Sequence, residues 1–489
     1  MKQRLAKLNQ YLYQLLASRG FFLGIIGLFI LASVFVAAVS IYPMAFDEDF
    51  HLGIIKIYAA HPLPWGLNET SAMAQYGNVP HDPSWLFHWL MSFPYNLFHM
   101  LGLNETGVIF ALRLLNIGLF VGGVVFIQKV LVRTRLGTAS INVIIALWLL
   151  IPIMTQVAGQ INYDNFVLLL FALSLWLAQA ILTRIREKRP FLTRCMLLFV
   201  TLLIGSATKY AFLPAAIGIT IVIIISLWRN RQTLNYALPL GKPVYLVLLG
   251  MLVIVALGAN YRYVQNLTEF RAISPSCDQT FSADDCLQYG VYARDSGYRA
   301  SKADDFIAKN PLEYLVSEWV PGLVYRLFFV VAGPTNGYDT RQPAIIPLIL
   351  SSAIGGLTLL MMLLYFRDTL KQPYVWLFLL PITLYIGALF IQLYGSYRDT
   401  AVPVAINGRY LIPFIPLCAA LAVPALRKLK RVRYASIVAS TALVLLIFTG
   451  DGIGSYITQS RMSWFYAGPA RDITNVMRDT SRPFVPTFN

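Results

Sequence analysis

Across 489 residues the chain is 57% hydrophobic and only 13% charged, with a mean hydropathy of +0.62. A soluble domain carries roughly 25% charged residues, so this composition excludes a soluble globular protein and makes lipid the solvent for much of the surface. The net charge of +16 does not indicate nucleic acid, because the basic residues fall in short clusters between apolar runs.

The apolar runs are too long for barrel strands, and lipid-facing backbone must satisfy its own hydrogen bonds. An all-α polytopic membrane protein follows, with about eleven spans by the length criterion. They are expected near 20–42, 107–128, 138–156, 161–182, 192–207, 210–228, 243–260, 343–365, 373–394, 409–426 and 434–450. The first run, Gly20 to Tyr42, is uncharged, longer than a signal-peptide core and without a small-residue cleavage site, so it reads as a retained span. The whole chain, 1–489, then forms one transmembrane unit, in which no internal repeat or low-complexity tract is visible.

With the N-terminus in the cytoplasm, the basic clusters all fall on the inner side, as the positive-inside bias requires. They are Lys2/Arg4/Lys7, Lys129/Arg133/Arg135, Arg184 to Arg194, Arg229/Arg231/Lys242, Arg367/Lys371 and Arg427 to Arg433. The outer face of what would be a cytoplasmic (inner) membrane receives two long loops, 47–106 and 261–342, and a tail, 451–489. Loops carry function on a helical scaffold, so the working face is expected to be extracytoplasmic. Phe46 to Ala60 and Trp85 to Leu101 have apolar and aromatic residues at helical spacing and predict amphipathic interfacial helices. Leu312 to Ala332 predicts a third such helix or a re-entrant segment.

Chemistry-bearing residues gather at the outer ends of the spans. Asp47-Glu48-Asp49-Phe50-His51 brings three carboxylates and a histidine to the edge of hydrocarbon, where ionisable groups default to a functional hypothesis. Asp47 and His51 share a helix face, and crowded carboxylates suit a general base or a cation site. A solvated loop ending the span is the bland alternative. Asp164, in Asn162-Tyr163-Asp164-Asn165, is either a cavity carboxylate or a helix-start residue favourable to the dipole. Lys209 sits in a short hairpin between two apolar spans and needs an anionic partner, a lipid phosphate being one; snorkelling to the interface is the other reading. Arg326 belongs to the same class. Arg409 and Tyr410, in Asn407-Gly408-Arg409-Tyr410, offer phosphate contact at a helix start or a plain interfacial anchor.

All five histidines lie between residues 51 and 99, but their spacing matches no tight zinc pattern. Cys277 and Cys286 stand nine apart in the second outer loop, where a disulfide would fit an oxidising exterior. Three sequons, at Asn68, Asn104 and Asn266, would matter only in a eukaryotic secretory setting.

Taken together, Asp47-Glu48-x-x-His51 after the first span, Asp164 opening the fourth, Lys209 before the sixth and Gly408-Arg409-Tyr410-Leu411-Ile412-Pro413 resemble the GT-C superfamily of membrane glycosyltransferases. The likeness is strongest to bacterial multispanning proteins with a DExxH-type first loop and a late GRY-x-x-P motif, and it runs over about residues 20–426. Two departures stand out: the third carboxylate, Asp49, makes the acidic pair ambiguous, and no large soluble C-terminal domain follows.

The resemblance implies a GT-C-like bundle that transfers a sugar, with inversion, from a polyprenyl-phosphate donor to a glycan, lipid or protein acceptor. It implies Asp47 as base and Glu48 as the residue positioning the acceptor or a cation. Asp49, His51 and Asp164 would line the cavity, while Lys209, Arg409, Tyr410 and Arg326 would hold the donor phosphate. A divalent cation, magnesium or manganese, stays open, with Asp47 and Glu48 as its ligands if it is used. A lipid-linked substrate transporter or flippase, a polysaccharide ligase or polymerase, and an assembly factor are the competing classes.

Overall fold

The computed structural model describes residues 2–61, 63–67, 69–134, 136–237, 242–328, 345–372, 374–427, 434–448, 452–481 and 483. Arg135, most of the last basic cluster (428–433), the sequon residue Asn68, the close of the second outer loop with the start of the eighth expected span, and much of the tail's end lie outside these residues.

The described chain is helical throughout, apart from an isolated antiparallel bridge between Ser40 and Phe465. The principal helices are α1 (Lys2–Ala17), α2 (Arg19–Val39), α3 (Glu48–Ala60), α4 (Leu86–Met100), α5 (Glu105–Val132), α6 (Thr138–Leu149), α7 (Tyr163–Arg186), α8 (Leu192–Thr208), α9 (Leu213–Arg229), α10 (Lys242–Glu269), α11 (Ile345–Leu364), α12 (Val375–Thr400), α13 (Ile415–Arg427) and α14 (Ala435–Phe448). Among the described residues seven segments are long and apolar enough to cross a membrane, and four shorter apolar helices accompany them: Thr138–Leu149, Leu192–Thr208, Ser352–Leu364 and Ile415–Pro424. Together they occupy the eleven places expected from hydropathy, and the architecture is that of a polytopic membrane protein.

Two expected spans are broken rather than continuous. The third ends at Leu149 and resumes only as Ile153–Ala158, with Pro152, which has no N–H to donate, standing at the junction. The tenth begins as a 3₁₀ turn, Gly408–Leu411, and becomes α-helical only at Ile415, after Pro413. The second break carries Arg409 and Tyr410, two of the residues singled out for chemistry.

At the centre stands α7, 72% of whose most apolar stretch is buried, against 11% for α10. The difference places α7 inside the bundle, with α5, α8, α9 and α12 packed on it, and leaves α10 at the rim. There Leu246, Val247, Ile254 and Leu257 are exposed, an apolar surface suited to lipid. Helices α9 and α12 approach very closely: a Cβ on Gly218 would sit 2.7 Å from the backbone of Pro381. The third expected amphipathic segment is helical from Pro311 to Phe328, passing through a π turn at Leu315–Trp319.

Chain direction sorts the ends of the bundle. The close of α2 and α8 and the start of α3, α5, α7, α9 and α13 meet at one end. At the opposite end Thr183, near the close of α7, bonds Tyr374, just before α12, at 2.9 Å.

Candidate active site

The site is built on a strained turn. Phe46 (φ 63°) and Asp47 (φ 72°) are both in the left-handed region, which non-glycine residues rarely adopt. Each such residue costs of order 1–3 kcal/mol and persists only where its surroundings hold it. Here the Phe46 carbonyl accepts from Asn162 Nδ2 at 3.0 Å and from Arg409 Nη1 at 3.1 Å. The buried Phe46 ring lies under the Arg409 guanidinium, 5.4 Å from it.

The turn aims Asp47 at Arg409, whose Nη2 donates to Asp47 Oδ2 at 2.7 Å. On the other side of Arg409, its Nε stands 3.5 Å from Asp164 Oδ2, and Asp164 Oδ1 accepts from Lys209 Nζ at 2.6 Å. The result is an alternating chain, Asp47–Arg409–Asp164–Lys209, of two cations and two carboxylates. Lys209 also lies 4.5 Å from the Tyr163 ring and 4.6 Å from the Tyr410 ring, so aromatic faces share in holding its charge.

Matching local devices present the two central charges. Asn162 Oδ1 accepts from the Asp164 N–H at 2.8 Å, and Asn407 Oδ1 accepts from the Arg409 N–H at 3.0 Å. Each asparagine caps the turn two residues ahead of it. Gly408 is required because a Cβ there would collide with the Leu323 carbonyl and the Leu327 side chain. Arg326, from the same segment, donates to the Ile406 carbonyl; it secures the approach to Arg409 by a backbone contact.

Glu48 points the other way. It is fully buried and clamped by Arg113, whose Nε and Nη2 donate to its two oxygens at 2.8 and 2.7 Å. Its carboxylate also accepts from the N–H groups of Met44 (2.7 Å) and Ile161 (3.1 Å). Arg113 Nη1 in turn donates to the carbonyls of Ala37 and Ser40, both at 2.8 Å. This satisfied pair ties together α2, α3, α5 and the approach to α7. With both Glu48 oxygens engaged, Asp47 and Glu48 do not jointly form a cation site. Among the described residues no group of three His, Cys, Asp or Glu side chains could hold a metal ion.

His51 is also buried, and its Nδ1 lies 2.9 Å from His88 Nε2, with the two rings stacked. Burial pushes His51 down to about 3 against the attraction of Asp47, and it pushes His88 well below its ordinary value, helped by His51. Both imidazoles are therefore neutral at pH 7. For Asp47, burial alone would raise the carboxyl, but Arg409 outweighs it by charge and hydrogen bond and holds it below the usual carboxylate range. Asp49, the third carboxylate of the motif, is exposed.

Behind the ionic chain lies a narrow, largely apolar recess. Asp164, Lys209, Arg409 and Tyr410 form its polar mouth, and Phe120, Val167, Leu168, Phe171 and Phe414 are among the apolar residues of its wall. Charges at one end and hydrocarbon at the other suit an amphiphile with an anionic head.

Of the residues expected from sequence, Asp47, Asp164, Lys209, Arg409 and Tyr410 come together. Glu48 and His51 lie directly beneath them, Arg326 supports them, and Cys277 and Cys286 form a disulfide away from them. Sequence reasoning missed Arg113, Asn116, whose Oδ1 accepts from the Asn162 N–H at 3.2 Å, and the His51–His88 pairing. Arg113 had a legible signal, being a lone cation well inside an apolar run.

No family model matches this chain, and neither does any curated protein. Two solved structures resemble it. One is ArnT from Cupriavidus metallidurans bound to undecaprenyl phosphate, at 13% identity and a TM-score of 0.45, covering 95% of this chain and 70% of that one. The other is the same protein in the apo state, at 14% identity and a TM-score of 0.45, covering 94% and 69%. A likeness of this size carries no argument about activity.

Proposed function

We propose that the protein is an inverting glycosyltransferase of GT-C type, which moves a sugar from a polyprenyl-phosphate-linked donor to an acceptor at the extracytoplasmic face of the inner membrane. The observation that carries this reading is the ionic chain Asp47–Arg409–Asp164–Lys209 at the mouth of an apolar recess. The basic clusters Arg184/Arg186 and Arg367/Lys371 stand at the opposite end of the bundle, in keeping with a cytoplasmic location for that end.

In this reading the isoprenoid stays in the bilayer and its phosphate meets Lys209 and Arg409 at the mouth of the recess. Asp47 takes the proton of the acceptor hydroxyl. The hydroxyl oxygen bonds the anomeric carbon as the carbon–oxygen bond to phosphate breaks, the electron pair leaving with the phosphate. Donor-set chemistry gives the step its direction. As Asp47 gains a proton it loses its hold on Arg409, and the guanidinium becomes available to the extra negative charge on the departing phosphate. Stabilisation thus grows as the reaction proceeds, which is the condition for lowering the barrier. Glu48 serves as a structural residue that fixes the turn carrying Asp47, and no step passes through a metal.

The test is mass spectrometry of lipid-linked and surface glycans in cells lacking the protein, complemented with wild type or Asp47→Asn at matched expression. The expected result is loss of one sugar in the null strain that only wild type restores. Full restoration by Asp47→Asn would overturn the assignment and move transport of a lipid-linked substrate ahead.

A further inference from the structure

A second, wider cavity opens between the first outer loop and the end of α10. It shares no lining residue with the recess. Its wall is polar and aromatic: Trp65, Glu69, His81, Tyr261, Gln265 and Glu269 all contribute. Trp65 and Tyr261 are 45% and 50% exposed, with ring centroids 6.3 Å apart. Between them the cavity offers two carboxylates. Among the described residues of its wall the one cation, Arg262, is already committed, donating to the carbonyls of Val79 (3.0 Å), Asp82 (2.7 Å) and Pro64 (2.5 Å) and to Tyr58 Oη (2.9 Å).

One buried group is left waiting. His81 is 7% exposed; its Nε2 pairs with Glu69 at 2.9 Å, and its Nδ1 has no partner. That nitrogen is itself enclosed by protein, so the groups the wall offers to a ligand are its carboxylates, Gln265 and the aromatic rings. Aromatic faces flanking hydrogen-bonding carboxylates and an amide match one ligand class well. A sugar ring has an apolar C–H face to stack and hydroxyls to donate and accept.

The wall is also wired to the candidate active site. Asp82 and Val79, held by Arg262, lead to Ser84, whose Oγ accepts from the Tyr210 N–H at 3.1 Å, next to Lys209. Tyr58, which touches Arg262, lies ten residues along α3 from Glu48, a rise of about 15 Å. A ligand reaching from Asp47 to this cavity must therefore be several sugar units long.

Resting on the glycosyltransferase reading above, we infer that this cavity binds the distal part of the acceptor, and that the acceptor is a neutral or amino-sugar oligosaccharide. Two carboxylates against one fully committed arginine disfavour an acidic glycan. The tip of a lipid or protein acceptor would not need a stacking platform so far from the base.

The test is saturation-transfer NMR on the purified full-length protein, using maltotriose, cellotriose, chitotriose and mannotriose as probes and trigalacturonic acid as the acidic control. At least one neutral or amino-sugar trimer is expected to receive saturation, and the acidic trimer to receive none. Trp65→Ala and Glu269→Gln, both at exposed positions, are each expected to weaken binding at least tenfold. Absence of binding by every neutral trimer, or equal binding by Trp65→Ala, would overturn the inference and leave Trp65 and Tyr261 as interfacial anchors. If trimer binding depends on Trp65 but Asp47→Asn still restores the cellular glycan, the enzymatic reading fails and the saccharide site stands. If transfer depends on Asp47 but trimer binding ignores Trp65, the reverse holds.

Discussion

Asp47 and Arg409 are 362 positions apart in the sequence and joined by a 2.7 Å ion pair in the fold. The pair closes the first outer loop onto the late Gly-Arg-Tyr turn. It also holds the proposed base below its usual range, so that the carboxylate is ionised at neutral pH yet restrained until its partner is drawn away.

Replacing Asp47 by Asn is expected to lower kcat by about 10²–10⁴-fold, the usual contribution of a positioned base. Because Asn removes one of the two carboxylates that compete for Arg409, binding of undecaprenyl phosphate should tighten. Transfer rates and lipid titrations on the purified variant check both effects, and weaker lipid binding would count against the role given to Arg409.

Lys209→Ala is expected to raise the donor KM by about 10–100-fold, since a hydrogen bond to a charged group is worth about 1.5–3 kcal/mol. Asp164→Asn frees Lys209 from its present partner and should lower the donor KM. Steady-state kinetics at varied donor concentration separate the two signs.

Breaking the buried pair beneath the site has a different signature. Glu48→Gln leaves the Arg113 charge uncompensated and is expected to cost about 3–5 kcal/mol, whereas replacing both partners with apolar residues should recover much of that loss. Thermal unfolding in detergent measures it. A Glu48→Gln protein of unchanged stability but without activity would mean that Glu48 acts directly in the chemistry.

The neutral histidines set a pH dependence. The folded value of His51, about 3, lies below its unfolded value near 6.5. Between those limits the unfolded chain binds more protons, so stability falls as pH drops through that window. At pH 5.5 the loss from His51 is about 1.3 kcal/mol relative to neutral pH, and His88 adds in the same direction. Melting curves at pH 7.5 and 5.5 should converge when His51 and His88 are both replaced by Asn. Activity itself should show no limb near pH 6.5, because neither imidazole titrates there in the folded protein.

Much of this site is legible from sequence because charges at the edge of hydrocarbon are conspicuous. Asp47, Asp164, Lys209 and Arg409 all stand at the ends of apolar runs, and alternation of span direction puts them at one end of the bundle. Which carboxylate meets which cation is not legible. Glu48 and Asp47 are neighbours in the chain, and only the left-handed turn at Phe46–Asp47 sends one outward to Arg409 and the other inward to Arg113. The spans at 138–156 and 409–426 read as continuous because hydropathy ignores the missing N–H of a proline. The second cavity was invisible for a related reason: Arg262 holds the first outer loop through the carbonyls of Val79, Asp82 and Pro64, which leave no mark on residue spacing.

The Glu48–Arg113 pair bears on how the protein enters the membrane. Arg113 lies eight residues beyond Glu105 in α5, and a lone arginine deep in a span opposes insertion by about 2.5–3.5 kcal/mol. Its counter-ion is synthesised first: α2 and the turn bearing Glu48 emerge before α5 does. The earliest hairpin can thus receive the charged helix as it leaves the translocation channel. Neutralising Glu48 should therefore be felt during biogenesis, as failed integration of α5, before any finished molecule exists to lose activity.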